Sequence, residues 1–151
     1  MITSYVDVGA LKELGGRLLT LREADTLLRL IAEGMLGETR DRIHERGEKA
    51  NGDKMGTYSE KYLELRKKPT SQGGTNDSDP NIRLFFTGQM QNDYKIVPLS
   101  DTEYGLGFSN QLNADKADWA EDRFGKIYEL TDQEMQGVRD IVSEYIKELF
   151  K

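Results

Sequence analysis

Two T-x-x-E boxes, Thr20 with Glu23 and Thr131 with Glu134, fix where two amphipathic helices begin, and the rest of the chain has to pack on the faces those helices present. In such a box the threonine oxygen and the glutamate carboxylate pair two of the backbone N–H groups that a helix start leaves over. Behind the first box Ala24, Leu27, Leu28, Ile31, Met35 and Ile43 fall on one stripe, with Arg22, Asp25, Arg29, Glu33 and Arg40 mostly on the other. Gly47 stands where a left-handed helix end needs glycine. The helix is therefore expected over 21–46, roughly 39 Å at 1.5 Å per residue. That exceeds what one small core needs, so part of it is expected to lie against a neighbouring subunit. Behind the second box Met135, Val138, Ile141, Val142, Tyr145, Ile146 and Leu149 recur at three and four, a helix running to the end of the chain.

Between these helices the pattern changes several times. Ahead of the first box Val8, Leu11, Leu14, Leu18 and Leu19 have helical spacing, weakened by Gly15 and Gly16. Residues 47–57 are polar and glycine-containing, a loop. Residues 59–68 return to helical spacing with Tyr62, Leu63 and Leu65 until Pro69 stops them. Residues 70–81 hold Gly73, Gly74, Asn76, Asp77, Asp79 and Pro80 and no apolar side chain, so nothing there offsets the ordering entropy and a mobile loop is expected. Leu84, Phe85 and Phe86 form an apolar cluster, and Thr87 with Gly88 opens a short turn or helix through Asp93. Residues 95–99 and 104–108 read as the strands of a hairpin. Gly105 and Gly107 share one strand face, which marks a bulge or a close backbone approach. Residues 113–123 are helical and carry the one tryptophan, Trp119, followed by Phe124, Ile127 and Tyr128 in a short extended piece. The expected architecture is α+β: amphipathic N-terminal and C-terminal helices packed on a small antiparallel sheet.

At 151 residues the chain is expected to form a single domain, 1–151. Its apolar fraction of 36% against 32% charged residues limits the core and leaves much surface for water or a partner. No apolar run is long enough to cross a bilayer, and the start lacks the pattern of a secretory signal. A soluble protein made in the cytoplasm is expected. The absence of cysteine excludes disulfides, thiolate nucleophiles and cysteine-bound zinc. A net charge of -6 argues against sequence-independent DNA binding, which draws its energy from lysines and arginines on phosphates.

The residues that carry chemistry elsewhere have plainer readings here. His44, the only histidine, stands among Arg40, Arg42, Glu45 and Arg46 near a helix end, where a solvated positive side chain is favoured. Asp118, Glu121 and Asp122 lie about a turn apart, as glycosidase carboxylates do, but Lys116 and Arg123 beside them make a charged helix surface. Asn76, Asp77 and Asp79 resemble part of a calcium loop without its closing glutamate. No phosphate loop, zinc spacing or nucleophile elbow appears. The sequence thus nominates no catalytic, cofactor-binding or metal-binding residue, no cofactor, and no enzyme activity.

One progression of short motifs spans about 11–149. It runs through Gly47-Glu48-Lys49-Ala50-Asn51-Gly52, Tyr58-Ser59 with Tyr62 and Arg66-Lys67, Leu84 with Thr87-Gly88-Gln89-Met90, and Tyr104-Gly105-Leu106-Gly107-Phe108. It continues through Lys116-Ala117-Asp118-Trp119-Ala120 and Arg123-Phe124-Gly125 to Ile127 and Leu130-Thr131. This progression resembles the virion morphogenesis, or tail-completion, proteins of Mu-like phages. Asn51 stands where that family often has aspartate, the loop proline is missing, and Met55 replaces a common tryptophan. The resemblance implies a structural subunit of a tailed bacteriophage virion, made in the host cytoplasm and seated in the neck. There it completes the tail and joins it to the head as a homo-oligomeric ring, a hexamer or dodecamer, between connector or stopper proteins and the tail tube or terminator. It implies no membrane partner, and DNA contact only in the channel. Two other classes remain open: a small adaptor or regulatory domain that binds a host protein through an amphipathic helix, and a hydrolase built on Asp118 and Glu121.

Overall fold

A computed structural model describes residues 2–7, 21–100 and 103–149. The expected helix over 8–19 and the Thr20 cap lie outside the described residues. Strand β1 (Ile2–Asp7) is followed by helix α1 (Leu21–Arg40), whose last turn widens into a π-helical turn at Asp41–Glu45. Helices α2 (Glu60–Lys67) and α3 (Gln89–Asp93) precede strands β2 (Tyr94–Ser100) and β3 (Glu103–Phe108). Helices α4 (Gln111–Phe124) and α5 (Asp132–Leu149) complete the chain. The fold is α+β, with helices packed on a small antiparallel sheet.

The sheet has the order β1-β3-β2, both pairs antiparallel. The hairpin of β2 and β3 was expected; β1 was not. Its Ile2–Asp7 segment pairs with the far edge of β3, setting Tyr5 opposite Gly105 and Ile2 opposite Gly107. On β2 the same glycines face Val97 and Lys95. β3 is therefore the central strand, and all of Gly105, Leu106, Gly107 and Phe108 are buried.

On the core face Phe108 and Leu106 meet Tyr94 and the buried stripe of α1, Leu27, Ile31 and Met35. Tyr94, Phe108 and Tyr128 form a three-ring cluster with centroids 5.1, 5.3 and 5.4 Å apart, close to the preferred spacing of tilted and edge-on pairs. α4 contributes its small-residue face, Ala114, Ala117 and Ala120, all buried. α5 packs along α1. The two helices approach closely at Gly34, where an added Cβ would stand 2.8 Å from Ile141 Cδ1. The apolar stripe of α1 is thus covered within the chain itself.

The end of α1 is enclosed by other segments of the chain. Arg42, Ile43 and His44 are consecutive and all buried, which one face of a regular helix does not allow. Three segments wrap this turn. Gly47 accepts a bond from Met55 N–H, and Arg42 O accepts from Glu48 N–H. Gly47 (φ +66°) is obligatory on two counts: its conformation is left-handed, and a Cβ would lie 2.2 Å from the Ile82 carbonyl oxygen.

Arg42 ties this turn to the start of α5. Its Nε donates to Glu134 at 2.7 Å, Nη1 to the Ile127 carbonyl at 2.8 Å and Nη2 to the Glu129 carbonyl at 3.0 Å. Glu134 also performs its capping role: its carboxylate accepts from Thr131 N–H at 2.7 Å, while Thr131 Oγ1 accepts from Glu134 N–H at 3.0 Å. The capping box read from sequence is present and doubles as the anchor of a buried ion pair.

Segment 70–81, expected to have no order of its own, follows a defined hydrogen-bonded path. Thr75 and Asp77 N–H donate to the Arg66 carbonyl and Asn76 N–H to that of Lys68. The Asp77 carboxylate is shared by Arg66 and Arg83. In this structure the loop is organised by polar groups around one buried arginine, with no apolar residue of its own.

Candidate functional site

α2, the 82–90 segment and α4 enclose a groove of about 770 Å³. Pro69 ends α2 after Lys68 turns to an extended conformation, and Ser59 Oγ caps its start by accepting from Tyr62 N–H at 3.4 Å. Tyr58, Tyr62 and Arg66 repeat at four, so all three fall on one side. Asn110 caps α4 through Leu112 N–H at 2.9 Å. With Ala117 and Ala120 turned into the core, Lys116, Trp119 and Arg123 are left on the groove side.

One wall is an aromatic ladder. Tyr58 and Tyr62 lie 5.1 Å apart, Tyr62 and Phe86 6.3 Å. The Arg66 guanidinium lies 4.5 Å from the Tyr58 ring centre and 5.9 Å from that of Phe86. Arg66 is 1% exposed; its Nη1 donates to the Phe85 carbonyl at 2.6 Å, and its buried Nε has no hydrogen-bond acceptor among the described residues. On the opposite wall Arg123 lies 5.5 Å from the Trp119 ring centre and 5.4 Å from that of Phe124. Trp119 is 60% exposed, Tyr62 38% and Phe86 37%.

The electrostatics are one-sided, since the lining holds three cations, Arg66, Lys116 and Arg123, and no carboxylate. The nearest acid tied to it is Asp77, behind Arg66. Burial raises the Asp77 pKa, but the Asp79 N–H and the two arginines outweigh that and hold it down at about 2. It stays ionised and offsets part of the Arg66 charge.

Several residues singled out in the sequence stand elsewhere or differently. His44 is not solvated: it is 1% exposed, its Nδ1 is 3.2 Å from the Leu84 carbonyl, and its Nε2 has no partner among the described residues. Burial pushes its pKa down to about 4. The helix end that would have exposed it is covered by the 80–86 segment. Glu121 is committed to structure, accepting from Ile127 and Tyr128 N–H at 2.9 Å each, while Asp118 and Asp122 are exposed. Trp119 faces outward because the alanines of α4 occupy the core side. Asp77 and Asp79 pair with arginines, and no group of three or more metal-ligating side chains is found among the described residues.

The groove itself was not read from the sequence. Its signals were present as Tyr58/Tyr62/Arg66 and Trp119/Arg123 at four-residue spacing, but periodicity within one helix does not say which other helix it faces. What such a lining offers chemically is adhesion: stacked arginines and half-exposed rings present large, rigid contact area with little entropy to lose. Comparison with family models, with curated proteins and with solved structures finds no match to this chain.

Proposed function

We propose that this protein is a structural subunit of a tailed bacteriophage virion, acting in tail completion and head-tail joining by assembling into a ring in the neck, without catalysis. The observation that carries the reading is the groove: its lining includes tryptophan, tyrosine, phenylalanine and arginine, the composition of protein–protein hot spots. The motif progression over 11–149 supplies the phage family, and the groove supplies one of the two different surfaces that a closed ring of heterologous contacts needs. No described helix is long and apolar enough to cross a membrane, which accords with a role among proteins.

The test is complementation of a phage that lacks this protein, with free heads, free tails and joined particles counted separately by electron microscopy. Wild-type protein is expected to convert free heads and tails into joined particles, and a ring of this chain is expected between them. Accumulation of joined particles without the protein would refute the role. A second reading, an adaptor for a host protein, is favoured only in so far as the same groove fits an amphipathic helix. It predicts a one-to-one complex and no ring.

A further inference from the structure

The charge of the groove is opposite to that of the rest of the chain. Three of the 21 basic residues line it and none of the 27 acidic ones, so the remainder of the chain carries 18 positive against 27 negative side chains. A second copy of this chain therefore brings an acidic surface to a basic, aromatic concavity. The described residues offer an exposed edge at the far end of the sheet. There Pro98, Leu99 and Ser100 are exposed, with Leu99 38% exposed, and Glu103 opens β3 beside them. The Glu103 carboxylate accepts one long bond, 3.4 Å, from Ser100 Oγ.

The two surfaces stand at opposite ends of one strand. α3, whose Gln89 and Met90 line the groove, runs directly into β2 at Tyr94. Six residue steps along β2, about 20 Å at roughly 3.3 Å each, lead to Ser100. We infer that the groove receives the β2–β3 end of a second copy, with Leu99 seated between Trp119 and the Tyr62–Phe86 wall and Glu103 facing Arg123 and Lys116. The contact uses different surfaces on its two sides, so it repeats head to tail, and this inference specifies the ring contact of the proposed function. Trp119 and Arg123 supply the anchor, and the charges supply register and association rate.

Sedimentation velocity over a wide concentration range tests it with the full chain. The wild-type protein is expected to associate with rising concentration, and less so at high salt. Arg123→Glu and Glu103→Lys are each expected to weaken self-association about tenfold or more. Circular dichroism of each variant is expected to match the wild type, since Arg123 is exposed and Glu103 opens a strand end. The decisive sample is the mixture. Arg123→Glu copies retain an intact hairpin end and Glu103→Lys copies an intact groove, and the altered groove and altered end carry swapped charges, so mixing the two is expected to restore the association that each has lost alone. The chain carrying both substitutions is expected to regain association, because the swapped charges again meet. A wild-type chain that stays monomeric throughout, single variants that associate normally, or a mixture that associates no better than either variant alone would overturn the inference. Complementation separates it from the phage role. Normal joining by Arg123→Glu removes the groove contact and leaves that role standing, whereas restored association in the mixture alongside failed joining by wild-type protein does the reverse.

Discussion

His44 makes the stability of this protein depend on pH between neutrality and mild acid. It is the only histidine, 1% exposed, with one ring nitrogen on the Leu84 carbonyl, the other without a partner among the described residues, and Arg40 nearby disfavouring a second positive charge. Burial, the largest influence, lowers its pKa from 6.5 to about 4. The unfolded chain therefore binds a proton that the folded chain refuses between those values, and stability falls as the pH drops through the window. The gap of about 2.5 pH units corresponds to roughly 3 kcal/mol when fully developed, of which about 2 kcal/mol is lost between about pH 8 and about pH 5. Carboxylates held well down, such as Asp77 and Asp93, both at about 2, lose their contribution only in stronger acid. The assay is urea denaturation followed by far-ultraviolet circular dichroism at steps from about pH 8 to about pH 5; Trp119, at 60% exposure, is a poor reporter of unfolding. His44→Asn places an amide N–H where Nδ1 stands, keeping the donor to Leu84 while removing the titration. It is expected to be less stable than wild type at neutral pH by about 1–3 kcal/mol, through the space left by the ring, but to show no slope in this window. A wild-type stability that is flat from about pH 8 to about pH 5, or a slope that survives in His44→Asn, would refute the assignment.

Other perturbations probe the packing and the polar anchors. Arg42→Ala leaves Glu134 buried without its partner and opens three backbone carbonyl bonds, and a loss of about 3–5 kcal/mol in chemical denaturation is expected. Gly34→Ala drives a Cβ into Ile141 Cδ1, at 2.8 Å, and is expected to cost about 1–3 kcal/mol despite the better helix propensity of alanine. Adding Ile141→Val should recover part of that, and strict additivity in the double-mutant cycle would show that α1 and α5 do not meet there. The amides of Thr75, Asn76 and Asp77 are expected to exchange slowly with solvent in the isolated chain and faster in Asp77→Asn, which removes the charge shared by Arg66 and Arg83; equal, rapid exchange in both would restore the picture of a mobile loop.

What the sequence made legible was whatever depends on neighbours along the chain. The second T-x-x-E box closes as read, because both its bonds run between Thr131 and Glu134 themselves. Ser59, Pro69, Gly47 and the β2–β3 pair obey the same local rules. The misplaced residues are those whose surroundings are assembled from distant segments. His44 had the composition of a solvated helix end, and it is buried because residues forty positions later, Arg83 and Leu84, cross over it. Trp119 gave no sign in the sequence of which way it faces, and it is exposed because α4 turns alanines inward, toward the core that holds Tyr94, Phe108 and Tyr128. β1 escaped notice because its residues pair with a strand about a hundred positions away, and the pairing, not its own pattern, defines it. Segment 70–81 is the converse case: entropy counted from composition left out Arg66, whose burial makes polar partners mandatory and so orders a loop with no apolar content. The groove joins both kinds of information. Each of its helices was legible with its four-residue spacings, yet a docking surface exists only where two such faces confront each other. That confrontation is fixed by the alanine face of α4 and by the Asp77–Arg66–Phe85 bonds, which hold the aromatic wall opposite Trp119.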